Sequence, residues 1–267
     1  MRPFDPALHR ELTAILAAAG IEDPALEAKW ICEDIPGADK ARGIARRRAD
    51  REPLQYLLGK WEFYGLELRV KPGVLIPRAD TETLVEAVLE RTENSEHTEI
   101  IDLCTGSGCI ALALKKHLPL AKVLGIELNP AAHGIAVVNE MRLGLGAQFL
   151  RGDVLDPWTC GLFSGQSVIT CNPPYLTADD MAHLQPEVRH EPETALFGGE
   201  DGLHFYREIT RLWKDALKPG GLLCYEIGCT QAESVSAIMR ENGFTEIEVL
   251  RDLGGNDRVV AGRRGQL

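Results

Sequence analysis

From Glu99 onward, short apolar runs alternate with stretches of helical periodicity, and this rhythm restricts the fold more than any other feature of the chain. Strands are expected at residues 100–103, 123–127, 148–151, 168–171, 222–226 and 247–250, with helices at about 109–117, 131–141, 203–217 and 231–242 between them. That order gives an α/β fold with a doubly wound, Rossmann-like parallel sheet. Residues 258–261 read as a seventh strand, paired with the sixth across the turn Gly254-Gly255-Asn256-Asp257. An antiparallel hairpin closing the sheet separates this layout from the usual dehydrogenase sheet.

The preceding residues differ in texture. Asp5-Pro6 opens a helix with Leu8, Leu12, Ile15 and Leu16 on one face, and Gly20 closes it. Asp23-Pro24 opens a second helix through Leu26, Trp30 and Ile31, and a third covers about 38–48, ending in the basic run Arg46-Arg47-Arg48, which reads as a solvated face or, second, as a surface that docks acidic groups. Phe63, Tyr64, Leu66, Leu68 and Val70 around Gly65 suggest a β-hairpin, followed by a helix over about 80–90 and a polar linker at 92–98. The expected organisation is a small N-terminal helical domain with the hairpin (1–75), a connecting helix and linker (76–95), and an α/β domain (96–267), to which the resemblance described below gives substrate-binding and catalytic roles.

Composition narrows the partners. With 29 Lys and Arg against 40 Asp and Glu, the formal charge is −11, which argues against a protein held mainly by nucleic-acid phosphates. The seven cysteines form no pair at zinc-knuckle spacing, so reduced thiols and no metal are expected. The N-terminus lacks the apolar core of a signal peptide and no run approaches the length of a membrane helix, so the expected location is the cytoplasm.

The chemistry is carried by residues at strand carboxyl ends, where open α/β sheets place their ligands. The segment IIDLCTGSGCIALAL runs from strand through glycine-rich turn to helix, and Gly106 and Gly108 let the backbone approach a ligand beside a helix N-terminus. About twenty residues on, Glu127 ends the next strand, where a carboxylate can accept from both hydroxyls of a ribose. Asp153 follows the third strand and could accept from an adenine amino group. These groups point to an adenosine-containing cofactor without choosing between NAD and S-adenosylmethionine. Asn172-Pro173-Pro174-Tyr175 follows the fourth strand: the Asn172 side-chain oxygen and the Pro173 carbonyl can each accept one N–H of a planar NH2 group, and Tyr175 can stack on its plane. His190 reads as a surface or packing residue.

On these residues the chain resembles the bacterial HemK-type release-factor glutamine methyltransferases. The resemblance covers nearly the whole chain. Its marks are Arg51-Glu52-Pro53-Leu54-Gln55-Tyr56-Leu57 with Gly59, Phe63, Gly65 and Leu75-Ile76-Pro77-Arg78, then Asp102-Leu103 with Thr105-Gly106-Ser107-Gly108, and Asn172 to Tyr175. Further marks are Glu191-Pro192, Ala195-Leu196, Gly198-Gly199, Asp201-Gly202-Leu203, Glu226 with Gly228, and Asp252-Leu253-Gly254 with Asn256-Asp257-Arg258. The chain departs from the family at Ala79-Asp80, where Pro-Glu is usual, at Cys104, where many members have glycine, and at Glu127, where Asp is common.

The resemblance implies a class I S-adenosylmethionine-dependent methyltransferase sheet. It implies cofactor contacts, with S-adenosylhomocysteine as product, from Cys104, Thr105, Gly106, Ser107, Gly108, Glu127, Asp153, Val154 and Asn172. Asn172, Pro173, Pro174 and Tyr175 would hold the substrate, with Asn172, Pro173 and Tyr175 catalytic. The implied substrate is the glutamine of the Gly-Gly-Gln motif in class 1 peptide chain release factors, whose methylation modulates translation termination. The N-terminal helical domain would clasp that protein, and Gln55, Arg78 and the Glu191 segment would rim the site. The same Asn-Pro-Pro-Tyr could serve a DNA or RNA adenine-amino methyltransferase, and a ribosomal-protein glutamine is a related substrate. A cofactor-binding module docking on the translation machinery without turnover is a third reading, disfavoured by the intact motif. No direct nucleic-acid or membrane binding is expected.

Overall fold

The fold was analysed in a computed structural model describing residues 5–266, so the first four residues of the N-terminal reading and the last residue of the catalytic unit lie outside it. Three helices open the described chain: α1 (Pro6–Ala18), α2 (Pro24–Asp34) and α3 (Ala38–Ala49). Asp5 caps α1 by accepting from the backbone N–H groups of Ala7 and Leu8, with Pro6 preset for the first turn. Leu12, Leu16, Ile31, Ala41, Ala45 and Leu54 form a separate small core among these helices.

Short helix α4 (Leu54–Leu58), hairpin strands β1 (Lys60–Phe63) and β2 (Leu66–Arg69), and α5 (Glu82–Arg91) come next. They were expected outside the catalytic part. Phe63, Leu66, Leu68, Leu84, Val85 and Val88 instead share one hydrophobic cluster with β3 (Glu99–Leu103) and α6 (Cys109–His117). The apolar face of α5 and the inward residues of β2, which alternate buried and exposed, are too large to leave in water, and the sheet supplies the nearest surface.

The catalytic part continues with β4 (Lys122–Glu127), α7 (Pro130–Leu143), β5 (Gln148–Arg151), α8 (Pro157–Cys160), β6 (Gln166–Cys171), α9 (Ala178–Ala182), α10 (His204–Trp213), β7 (Leu217–Glu226), α11 (Ala232–Glu241), β8 (Phe244–Arg251) and β9 (Asp257–Arg264). The sheet has seven strands in the order β5-β4-β3-β6-β7-β9-β8, with β9 antiparallel to both of its neighbours, as the terminal hairpin required. Chain order runs outward from β3 to β5 and then returns to β6 on the other side of β3. The carboxyl ends of β3 and β6 therefore flank the topological switch point, where a crevice forms.

Two elements differ from expectation. The helix expected over 203–217 stops at Trp213, and β7 begins at Leu217 rather than at 222. The register jumps from Gln166↔Leu217 to Val168↔Leu222, so a bulge absorbs Pro219 and its glycines within the strand. The basic run of α3 is not simply a solvated face either. Arg48 is buried, its Nε 2.7 Å from Glu27 and its Nη1 2.8 Å from Glu187 of the catalytic part, and Arg51 also reaches Glu187 at 3.2 Å. Burial pushes the Glu187 carboxyl up, but the two arginines outweigh it and hold it below the usual range. Arg48→Ala leaves Glu27 without its arginine and Glu187 with Arg51 alone, and is expected to cost about 2 kcal/mol, read as a lowered urea midpoint.

Candidate active site

Asp102, wholly buried near the end of β3, accepts from the hydroxyls of Thr105 (2.5 Å) and Thr170 of β6 (2.8 Å). It ties the glycine-rich turn to both strands at the switch point, and burial pushes its carboxyl up to about 7. The backbone of Cys104 is left-handed, with φ 56°. Gly108 enters α6 at φ 82°, and a Cβ there would sit 2.8 Å from the Phe149 ring, so only glycine lets the turn settle onto β5 and α7. Thr105 and Ser107 are buried behind the turn, and Asn139 donates to the Ser107 carbonyl at 3.0 Å.

This turn opens one wall of a cavity of about 340 Å3. Cys104, Gly106, Glu127, Asp153, Val154, Asn172 and Pro174 line it, whereas Thr105, Ser107 and Gly108 shape it from behind. Leu75, Leu128, Pro192, Ala195 and Phe205 also line it; sequence reasoning missed Leu128 beside Glu127, and the others because they come from segments remote in the chain. Glu127 Oε2 accepts from the Gly106 N–H at 2.8 Å and Oε1 from the Asn129 N–H at 2.7 Å, which fixes the carboxylate at the cavity edge. Each oxygen keeps a further lone pair for a ligand hydroxyl. Burial raises the Glu127 carboxyl against these bonds. Asp153 caps its own turn, accepting from the Leu155 N–H at 2.8 Å, and still faces the cavity.

A second cavity of about 320 Å3 adjoins the first, with Leu75, Asn172 and Ala195 in both walls. Pro173, Tyr175, Arg78 and Glu226 line this second space. Asn172 Nδ2 donates to Thr81 Oγ1 at 3.4 Å. The loop that follows is braced by residues 196–203: Leu176 N–H bonds to Leu196 O at 2.9 Å and Gly198 N–H to Leu176 O at 2.8 Å. Gln231 Nε2 reaches the Tyr175 carbonyl at 3.2 Å. Burial pushes the Tyr175 phenol up to about 12, so it stays neutral at physiological pH.

Of the residues expected at the rim, Arg78 lines the second cavity and Pro192 and Ala195 of the Glu191 segment line the first, whereas Gln55 and Glu191 itself line neither. Glu191 is buried, ion-paired with Arg78 and accepting from the Ile76 N–H at 3.1 Å. With Gln55 and Arg48 these two line a third cavity, between the helical and catalytic parts. His190 is exposed, and no group of His, Cys, Asp and Glu among the described residues could hold a metal.

Residues 71–191 match the family model of the methyltransferase small domain. A release factor glutamine methyltransferase of Geobacter sulfurreducens is 42% identical over 269 aligned residues, covering 94% of this chain and 93% of that one. The chain belongs to the release factor glutamine methyltransferase family. A member from Deinococcus radiodurans is 35% identical over 95% of this chain and 96% of its own. Among solved structures, the hMettl16 catalytic domain superposes with a TM-score of 0.58 at 19% identity, covering 83% of this chain and 81% of that one. A methyltransferase from Pyrococcus furiosus gives 0.57 at 16% identity over 76% and 91%. These two likenesses concern the fold.

Members of the release factor glutamine methyltransferase family draw on S-adenosylmethionine, and so does this enzyme. The first cavity fits that molecule: a glycine-floored turn, two carboxylates for hydroxyl and amino groups, and apolar Leu128, Val154 and Phe205 for a flat base.

Proposed function

We propose that the enzyme methylates the side-chain amide nitrogen of the glutamine in the Gly-Gly-Gln motif of class 1 peptide chain release factors, with the cofactor in the first cavity and the glutamine in the second. The observation that carries this reading is the place of Asn172 in the wall common to both. A carboxamide nitrogen is a poor nucleophile, because its lone pair is delocalised into the carbonyl. The Asn172 side-chain oxygen and the Pro173 carbonyl each accept one of its N–H bonds, which fixes the nitrogen at the junction and offsets the positive charge that develops on it. Tyr175, held by the 196–203 segment, covers the amide plane. The bound cofactor supplies an electrophilic methyl on a sulfonium, whose loss leaves a neutral thioether. No strong base is needed, since the product nitrogen sheds its proton readily.

Glu127 holds the ribose, Asp153 the base amino group, and the glycine-rich turn the backbone-facing side of the cofactor. Glu127→Ala is expected to weaken cofactor binding about tenfold to a hundredfold, by calorimetric titration, with kcat at saturating cofactor changed far less. The helical part, cored separately, grips the release factor body while the motif enters the second cavity. Release factors work in the cytoplasm, where we place the enzyme; no described helix is long and apolar enough to cross a membrane. The whole reading is tested by offering release factor, ribosomal protein and DNA side by side with radiolabelled methyl donor. Label in the release factor alone is the expected result. Label in DNA would restore the adenine-amino reading.

A further inference from the structure

Glu226 is the last residue of β7, at the same sheet edge as Asn172. Its side chain lines the second cavity, yet the residue is only 2% exposed and its Oε2 lacks a hydrogen-bond partner. A buried carboxylate oxygen without a donor is costly and calls for an explanation. Pairing with Arg258 is not a sufficient one. Arg258 already holds Asp252 through Nε and Nη2, both at 3.1 Å, reaches Asp80 at 3.3 Å and donates to the Ile227 carbonyl at 3.3 Å.

Thr81 supplies the link. It is buried at 2% exposure, its hydroxyl oxygen accepts a hydrogen bond from Asn172 Nδ2, and both side chains stand beside Glu226, where they favour its ionised form. A hydroxyl that accepts from Asn172 has its own proton to give, and an ionised carboxylate can only accept. We propose that Glu226 is a positioning residue for methyl transfer: acting through Thr81, it holds the Asn172 amide with NH2 turned to the interior and the carbonyl oxygen presented to the substrate. This rests on the role given to Asn172 above. Without the carboxylate at the end of the chain, the amide can rotate and offer the substrate an N–H that repels its own.

The charge at Glu226 is set by its whole surroundings. Burial pushes the carboxyl up to about 7, Thr81, Arg258 and Asn172 draw it down, and Asp80 raises it. Tyr175, Tyr206 and Cys109 also face it, each held neutral at physiological pH by its own burial. Because the ionised form is the one that orders Asn172, the effect is present above that value and is lost as pH falls through it.

The test uses the full chain with intact release factor. Glu226→Gln is expected to lower kcat about a hundredfold, to leave KM for the release factor and the cofactor dissociation constant within about twofold, and to remove the acid limb of the kcat profile near pH 7. Glu226→Asp restores part of the rate. The chain has six asparagines, so 15N-asparagine labelling resolves their side-chain NH2 signals. The Asn172 signal, assigned by its loss in Asn172→Asp, should move through neutral pH in the wild type without cofactor and stay still in Glu226→Gln. Wild-type kcat in Glu226→Gln, survival of its acid limb, or an Asn172 signal indifferent to Glu226 overturns the proposal. Should Glu226→Gln not fold, Thr81→Val breaks the link while keeping the charge, and unchanged kcat there overturns it equally. Full turnover in Asn172→Ala would instead remove the underlying reading, while the spectra still report whether Glu226 orders that amide.

Discussion

Asn172→Ala should abolish methyl transfer, with kcat falling about a thousandfold while cofactor binding persists. The separation follows from the two cavities. Most of the cofactor wall comes from Cys104, Gly106, Glu127, Asp153 and neighbouring apolar residues, which the substitution leaves in place. On the proposed mechanism the substrate loses one of two acceptors at the reacting nitrogen, and the cavities merge where Asn172 stood. Single-turnover rates with radiolabelled methyl donor, alongside calorimetric titration of the cofactor, measure both halves. Near-wild-type turnover would sink the mechanism.

Gly198→Ala should damage turnover without touching a reacting group. A Cβ at that position would lie 2.6 Å from Tyr175 Cα and 2.7 Å from the Pro174 carbonyl oxygen, so the obstacle is backbone and no rotamer relieves it. The Asn172–Tyr175 loop must shift outward, stretching the Gly198 to Leu176 hydrogen bond. Displacement of the acceptor carbonyls by a fraction of an ångström is expected to lower kcat about a hundredfold, and overpacking should cost about 1–3 kcal/mol of stability. Thermal melting and kinetics on the same preparation separate the two effects. A variant that melts lower yet turns over normally would show that the loop tolerates the shift.

Much of this was legible in the chain because strand ends announce themselves. An apolar run followed at once by glycine, acid or Asn-Pro marks a carboxyl edge, and an alternating α/β order brings such edges together. Glu127, Asp153 and Asn172, all of which line the first cavity, are read that way. The same logic could not tell lining from support within the Thr105 to Gly108 turn, because that depends on which way each residue faces around the helix entry. Leu75 and Ala195 stand in segments that mark the resemblance, yet nothing local says that they line the cavity, and Phe205 carries no local signal; all three reach it through long connections whose path is fixed by tertiary packing. Thr81 stands in the segment after Leu-Ile-Pro-Arg, and Glu226 before Gly228, but nothing in spacing says that the two meet. Arg48 was misjudged because a run of arginines reads as solvated until its acidic partners are seen, and Glu187 lies far along the chain.

The position of β9 bears on when this enzyme becomes competent during its own synthesis. Strand β7, which ends in Tyr225 and Glu226, is flanked on one side by β6 and on the other by β9, the last in chain order of the described strands, with Val260 opposite Tyr225 and Val259 opposite Glu226. While residues 257–264 are still inside the ribosomal exit tunnel, that edge stays unpaired and the Arg258 bridges to Asp80 and Asp252 do not exist. Domains fold as they emerge, N-terminal portions first. The nascent chain can therefore assemble the turn at Cys104 to Gly108 early, whereas the edge that carries Glu226 waits until residues 257–264 have left the tunnel.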